Sequence, residues 1–168
     1  MKVYLVRHGT AVNIGEQGVT TDAARMLSDE GRAKTGKAAR GLSRVPDVTI
    51  ERIVSSPLVR ALETAEIFAK ALGVKRMVES LPELAPGRST EDVTAWLAAQ
   101  PPADIALVGH MPDLADLASA LTCTGSAIDV VFKKAAVLCL EFDRRAMPGS
   151  GRFVWLLQPD VLRRLAGT

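Results

Sequence analysis

The strongest constraint in this chain is an alternation. Short apolar runs of strand length are separated by stretches whose apolar residues recur at helical spacing. The runs include Val3-Tyr4-Leu5-Val6, Ile53-Val54 and Ile105-Ala106-Leu107-Val108. Between them, Thr35, Ala38, Ala39 and Leu42 form one stripe, and Leu58, Ala61, Leu62, Ala65, Phe68, Ala69 and Leu72 form another. Strands that are apolar throughout are covered on both faces. This βαβα rhythm therefore predicts an α/β fold, a three-layer α/β/α sandwich around a mostly parallel central sheet.

Local signals place the element ends. Ser28 precedes the acidic pair Asp29-Glu30 and reads as the cap of a first helix. Ser56-Pro57 reads as a cap with proline in the first turn of a second. Met77-Val78 suggests a short strand, and Ser89 with Asp92 caps a helix carrying Val93, Trp96 and Leu97 that stops at Pro101-Pro102. Leu114, Leu117, Ala118 and Leu121 mark a further helix. Residues 135–142 and 152–157 read as late strands around a Pro148-Gly149 turn, and a short helix is expected from Pro159. The 168 residues are expected to form a single domain. A chain of that size buries roughly two-thirds of its unfolded surface and needs no staple.

Charge and cysteine usage exclude several classes. A net charge of +2, with both signs mixed along the chain, argues against a nucleic-acid groove or a membrane-binding face but suits a small anionic substrate. Cys123 and Cys139 lack metal-ligand spacing and read as reduced thiols. The chain enters a strand at residue 3 without a signal-like start, and no apolar stretch reaches spanning length, so a cytoplasmic protein is expected. Oligomeric state is not legible. No glycine-rich dinucleotide turn, Walker-type Gly-Lys-Ser/Thr or Gly-x-Ser-x-Gly elbow is present.

The chain has two histidines, and each follows an apolar run: Arg7-His8-Gly9 after the first, Gly109-His110 after the run ending at Val108. In open α/β sheets ligands bind beyond the carboxyl ends of the strands, so both imidazoles can reach one crevice. A histidine that attacks phosphorus needs one bare nitrogen and its other N–H held by a fixed acceptor. Arg7 beside it can fork phosphate oxygens and disfavour the imidazolium, and Gly9 can let backbone approach the phosphate. Arg60, near the start of the second helix, adds a guanidinium where unpaired amides already favour an anion. His110 can stabilise the oxygens of a transferring phosphoryl group. Taken singly, each has a plainer reading: a histidine ending a strand, a solvated arginine on an amphipathic helix, a histidine in a turn. Their common placement at strand exits and a helix start links them.

These stretches, Arg7-His8-Gly9, the Ser-x-x-x-Arg-Ala-x-x-Thr-Ala pattern of Ser56 to Ala65, Leu81-Pro82-Glu83 and Gly109-His110, resemble the histidine phosphatase superfamily, also called phosphoglycerate-mutase-like. Arg7-His8-Gly9-Thr10-Ala11 and Asp22-x-x-Arg25-x-Leu27-Ser28-x-x-Gly31 resemble the short SixA-type phosphohistidine phosphatases within it. The resemblance implies His8 as nucleophile, with Arg7, Arg60 and His110 completing a phosphate pocket and no metal or other cofactor. It matches Glu83 to the leaving-group acid of the mutase-like branch; a surface carboxylate after a proline turn is the alternative. Another branch carries aspartate directly after the second histidine, where Met111 stands here. Ala11 and the displaced Asn13 disfavour mutase activity. The short interval between Glu83 and His110 leaves room for one helix and no large lid. An open site admits a protein side chain, so phosphohistidine on a partner protein is the leading substrate. A small phosphoester, or a silent phosphate-binding and protein-docking module, is the alternative.

Overall fold

The computed structural model describes residues 1–122 and 130–167. Its elements run β1 (Lys2–Arg7), α1 (Asp29–Leu42), β2 (Arg52–Ser55), α2 (Val59–Leu72), β3 (Glu79–Ser80), a 3-10 turn (Pro82–Leu84), α3 (Thr90–Ala99), β4 (Ile105–Gly109), α4 (Asp113–Thr122), β5 (Val137–Glu141), β6 (Arg152–Leu157) and α5 (Pro159–Leu165). The strands form one sheet in the order β3-β2-β4-β1-β5-β6. The pairs β3–β2, β2–β4 and β4–β1 are parallel; β5 pairs antiparallel with both β1 and β6, so it alone runs against the rest.

Helices cover both faces, as the alternation predicts. Successive strand side chains point to opposite sides. On one side Val3, Leu5, Val54, Leu107, Leu138 and Leu140 pack against α3 and α4 through Val93, Leu97, Leu114, Leu117 and Leu121. On the other, Tyr4, Val6, Ile53, Val108 and Val137 meet α1, α2 and α5 through Ala39, Leu42, Ala65, Phe68 and Leu162. Each such large apolar side chain taken from water contributes about 1.5–3 kcal/mol.

The helix ends follow side-chain chemistry. Ser28 accepts from the Gly31 amide at 3.0 Å and caps α1, and Ser89 accepts from Asp92 at 3.4 Å and caps α3. Gly73, in the left-handed region at φ 69°, ends α2. Two expectations are corrected. The short strand lies at Glu79–Ser80 and not at Met77-Val78, where Met77 is exposed. The N-cap of α2 is Leu58; the Ser56 hydroxyl lies 2.8 Å from His110 Nε2 and also accepts from the Leu58 amide at 3.4 Å. Cys139 is a free, buried thiol; Cys123 lies outside the described residues. Among the described residues no helix is long and apolar enough to cross a membrane.

Candidate active site

Four parallel strands deliver their carboxyl ends to one edge of the sheet. β1 ends in Arg7 and leads to His8; β4, its neighbour, ends in Gly109 and leads to His110, with Arg7 paired opposite Gly109. The His8 amide donates to Gly109 O at 3.1 Å, the Ser56 amide donates to Val108 O at 2.9 Å, and the Leu81 amide donates to Ser55 O at 2.8 Å. The ladder thus carries on past the strand ends and fixes His8, Ser56, His110 and the Leu81-Pro82-Glu83 turn side by side.

The two imidazoles lie with ring centres 5.0 Å apart and planes inclined by 51°. Nδ1 of His8 is 2.7 Å from the Gly9 carbonyl oxygen, which can only accept, so Nδ1 bears the proton and Nε2 keeps the lone pair. Burial, with the nearby His110, Arg60 and Arg7 adding to it and the Gly9 carbonyl opposing, pushes His8 down to about 3. Burial and the charges of Arg60 and Arg7, opposed by Asp22, push His110 down to about 4. At neutral pH both rings are uncharged, which leaves a nucleophilic nitrogen on His8.

The cations are held from the side. Arg60, the second residue of α2 and only 5% exposed, donates from Nη1 to Asp22 O at 2.7 Å and from Nη2 to Asp22 Oδ2 at 2.9 Å. Asp22 also accepts from Arg25 Nη1 at 3.0 Å, while Arg25 Nε donates to Val12 O at 2.7 Å. Partial burial opposes ionisation of Asp22, but the hydrogen bonds from Arg25 and Arg60 prevail and hold its carboxyl below the ordinary aspartate value. Arg7 donates from Nη1 to Phe132 O at 2.6 Å, and its buried Nε has no partner among the described residues.

Gly9 occupies a different position from the one its sequence suggests. Its amide already donates to Thr64 Oγ1 at 3.0 Å, and a Cβ there would lie 2.2 Å from Thr35 Oγ1, so close packing of α1 requires the glycine. Thr64 in turn donates to Arg60 O at 2.7 Å and ties α2 to the His8 loop. The Ser56 hydroxyl is 2.8 Å from His110 Nε2, and His110 Nδ1 is buried without a partner among the described residues. Glu83 and His110 line one pocket with Asp113 and Leu114, and Glu83 Oε2 is buried without a partner among the described residues. The structure therefore gathers His8, Arg7, Arg60 and His110 at one sheet edge and sets Glu83 beside His110. Ser56, Thr64, Asp22 and Arg25 stood inside the matched sequence patterns, but spacing alone did not reveal what each would hold. Among the described residues no group of three or more His, Cys, Asp or Glu side chains is placed to hold a metal ion.

A parallel-sheet edge bearing two neutral imidazoles amid guanidinium groups defines a phosphate-handling enzyme. The chain belongs to the histidine phosphatase superfamily (branch 1), whose sequence profile matches residues 3–113. It is of the SixA type. The phosphohistidine phosphatase SixA of Escherichia coli K12 is 30% identical over 166 residues, 97% of each chain. A solved structure of the protein histidine phosphatase SixA complexed with tungstate superposes with a TM-score of 0.83 at 30% identity, covering 96% of this chain and 99% of that one. An uncharacterised protein of Picosynechococcus is 36% identical over 145 residues, 84% of this chain and 85% of its own. The protein is a phosphatase with the α/β fold of this family.

Proposed function

We propose that the enzyme removes phosphate from phosphohistidine on a partner protein through a covalent intermediate on His8. The observation that carries the reading is the hydrogen bond from His8 Nδ1 to the Gly9 carbonyl, which leaves Nε2 as the bare, neutral nitrogen. In the first step Nε2 forms a bond to phosphorus as the bond from phosphorus to the substrate's imidazole nitrogen breaks, and that imidazole leaves with a proton. Water then attacks phosphorus, releasing phosphate and restoring His8. Arg7 and Arg60 hold the equatorial oxygens, and the free Nδ1 of His110 donates to one of them while Ser56 serves Nε2. Gly9 shapes the loop under the phosphoryl group.

Glu83, on the pocket it shares with His110, supplies the leaving-group proton. An imidazole leaves more readily than an alkoxide, so general-acid help, typically about 10²-fold to 10⁴-fold, matters less for phosphohistidine than for an alkyl phosphate. Similarity to the phosphohistidine phosphatase SixA supports the substrate class. The whole chain acts as one domain, and the reduced, buried Cys139 fits a cytoplasmic setting.

Rapid acid-free quenching followed by ³¹P NMR tests the reading. Wild type mixed with a phosphohistidine protein is expected to show a phosphoramidate on His8 that His8→Ala lacks, and phosphohistidine turnover is expected to exceed that of small phosphoesters. Turnover that survives in His8→Ala rejects the intermediate. Small phosphoesters outpacing phosphohistidine rejects the substrate.

A further inference from the structure

The antiparallel direction of β5 has a consequence at the active-site edge. Because β5 runs against β1, its start lies where β1 ends, and the segment before it, residues 132–136, arrives beside Arg7 and His8. That segment is braced on two sides. The Ala135 amide donates to Arg7 O at 3.0 Å and Phe132 O accepts from Arg7 Nη1 at 2.6 Å. On the far side Gln158 accepts from the Lys133 amide at 3.1 Å and donates to Val131 O at 2.7 Å. Ala135 is held in the left-handed region at φ 66°, a conformation that a residue other than glycine keeps only when its surroundings impose it. Lys134 stands on this fixed platform, exposed to solvent.

Its amine has no hydrogen bond or ion pair among the described residues. Partial burial, and then the neighbouring guanidinium groups of Arg7, Arg25 and Arg60, hold it below the ordinary lysine value. Arg60 and Arg25 share Asp22, and Arg7 leans on a carbonyl. Lys134 is thus a cation beside the phosphate cations that has no carboxylate of its own.

We propose that Lys134 is a specificity-determining residue that pairs with an acidic side chain next to the phosphorylated histidine of the substrate protein. The proposal rests on the phosphohistidine reading above. An exposed cation at the rim meets a group held outside the phosphate pocket, such as a neighbouring residue on a protein. A carboxylate carried within a small phosphoester would call for a cation inside it. An ion pair of this exposure contributes up to about 1 kcal/mol, a preference of about fivefold.

The test uses two histidine peptides phosphorylated with phosphoramidate, identical except that aspartates flank the histidine in one and asparagines in the other. Wild type is expected to favour the aspartate peptide about fivefold in kcat/KM at low salt, Lys134→Ala to show a ratio near one, and Lys134→Arg to restore it. The same ratio in Kd, measured by calorimetry on His8→Ala against His8→Ala/Lys134→Ala, separates recognition from catalysis. A Lys134-dependent binding preference without His8-dependent turnover sinks the catalytic reading and leaves this one standing. A ratio near one in wild type, or one that Lys134→Ala leaves intact, overturns it. So does a Lys134-dependent preference for 2-phosphoglycolate over ethyl phosphate with none between the peptides.

Discussion

His8 and His110 face each other with ring centres 5.0 Å apart, and the second ring reinforces the burial that keeps the first uncharged. In the unfolded chain both titrate near the ordinary histidine value; in the folded protein they do so at about 3 and about 4. The folded state therefore binds fewer protons throughout this window. Stability is complete above the unfolded value and is lost as pH falls towards the folded ones. At pH 5 each histidine is expected to have cost about 2 kcal/mol relative to pH 7. Urea denaturation at the two pH values should show His8→Gln losing about 2 kcal/mol less than wild type over that step. Equal losses would mean that His8 is not held neutral by the fold.

Ser56 fixes the other imidazole. Its buried hydroxyl lies 2.8 Å from His110 Nε2, and when it donates there the ring proton stays on Nδ1. Ser56→Ala should lower kcat/KM about tenfold, the equivalent of one hydrogen bond of about 1.4 kcal/mol. Nitrogen-15 shifts of His110 should move from a single tautomer to a mixture. A purely structural serine would leave those shifts alone.

Much of the fold and site is legible in the sequence, and the parts that are not have a common cause. Strand exits at His8 and His110 follow from apolar runs and the open-sheet rule, and the α1 and α3 caps at Ser28 and Ser89 follow from local hydrogen bonding. Local chemistry misleads at Ser56, since a serine before proline at a helix start reads as a cap, whereas its hydroxyl also lies against His110, just past β4 and distant in sequence. Gly9 likewise reads as room for phosphate, whereas its lack of a side chain accommodates Thr35 of α1. Lys134 gave no signal at all. Its place depends on β5 running antiparallel, and the alternation of apolar runs does not encode strand direction.

Glu63 ties the loop that bears Asp22 and Arg25 to α2. Its carboxylate accepts from the Leu27 amide and from Arg32 Nη2, both at 2.6 Å, and its side chain is 19% exposed. Glu63→Ala strands a backbone donor, which costs about 1–3 kcal/mol where it is buried. A drop of that size in urea stability is expected, with faster amide exchange at Leu27 than at Leu107 in the central strand. Uniform acceleration across the sheet would show that the contact stabilises the whole protein and not the loop.

Two glycines of α1 should respond oppositely to the same change. A Cβ on Gly41 would lie 1.8 Å from the Leu162 carbonyl oxygen of α5, where backbone must move to admit it. A Cβ on Gly36 would meet only the mobile end of Arg40, Nη1 at 3.5 Å. Alanine is favoured over glycine within a helix by about 0.5–1 kcal/mol, so Gly36→Ala should raise stability by that amount. At Gly41 the same gain is outweighed by overpacking, which typically costs about 1–3 kcal/mol, and the variant should be destabilised as α5 is pushed from α1. Denaturation midpoints of the two variants give the signs directly. Stabilisation by both would mean that α5 docks less closely on α1 than the Gly41–Leu162 approach indicates.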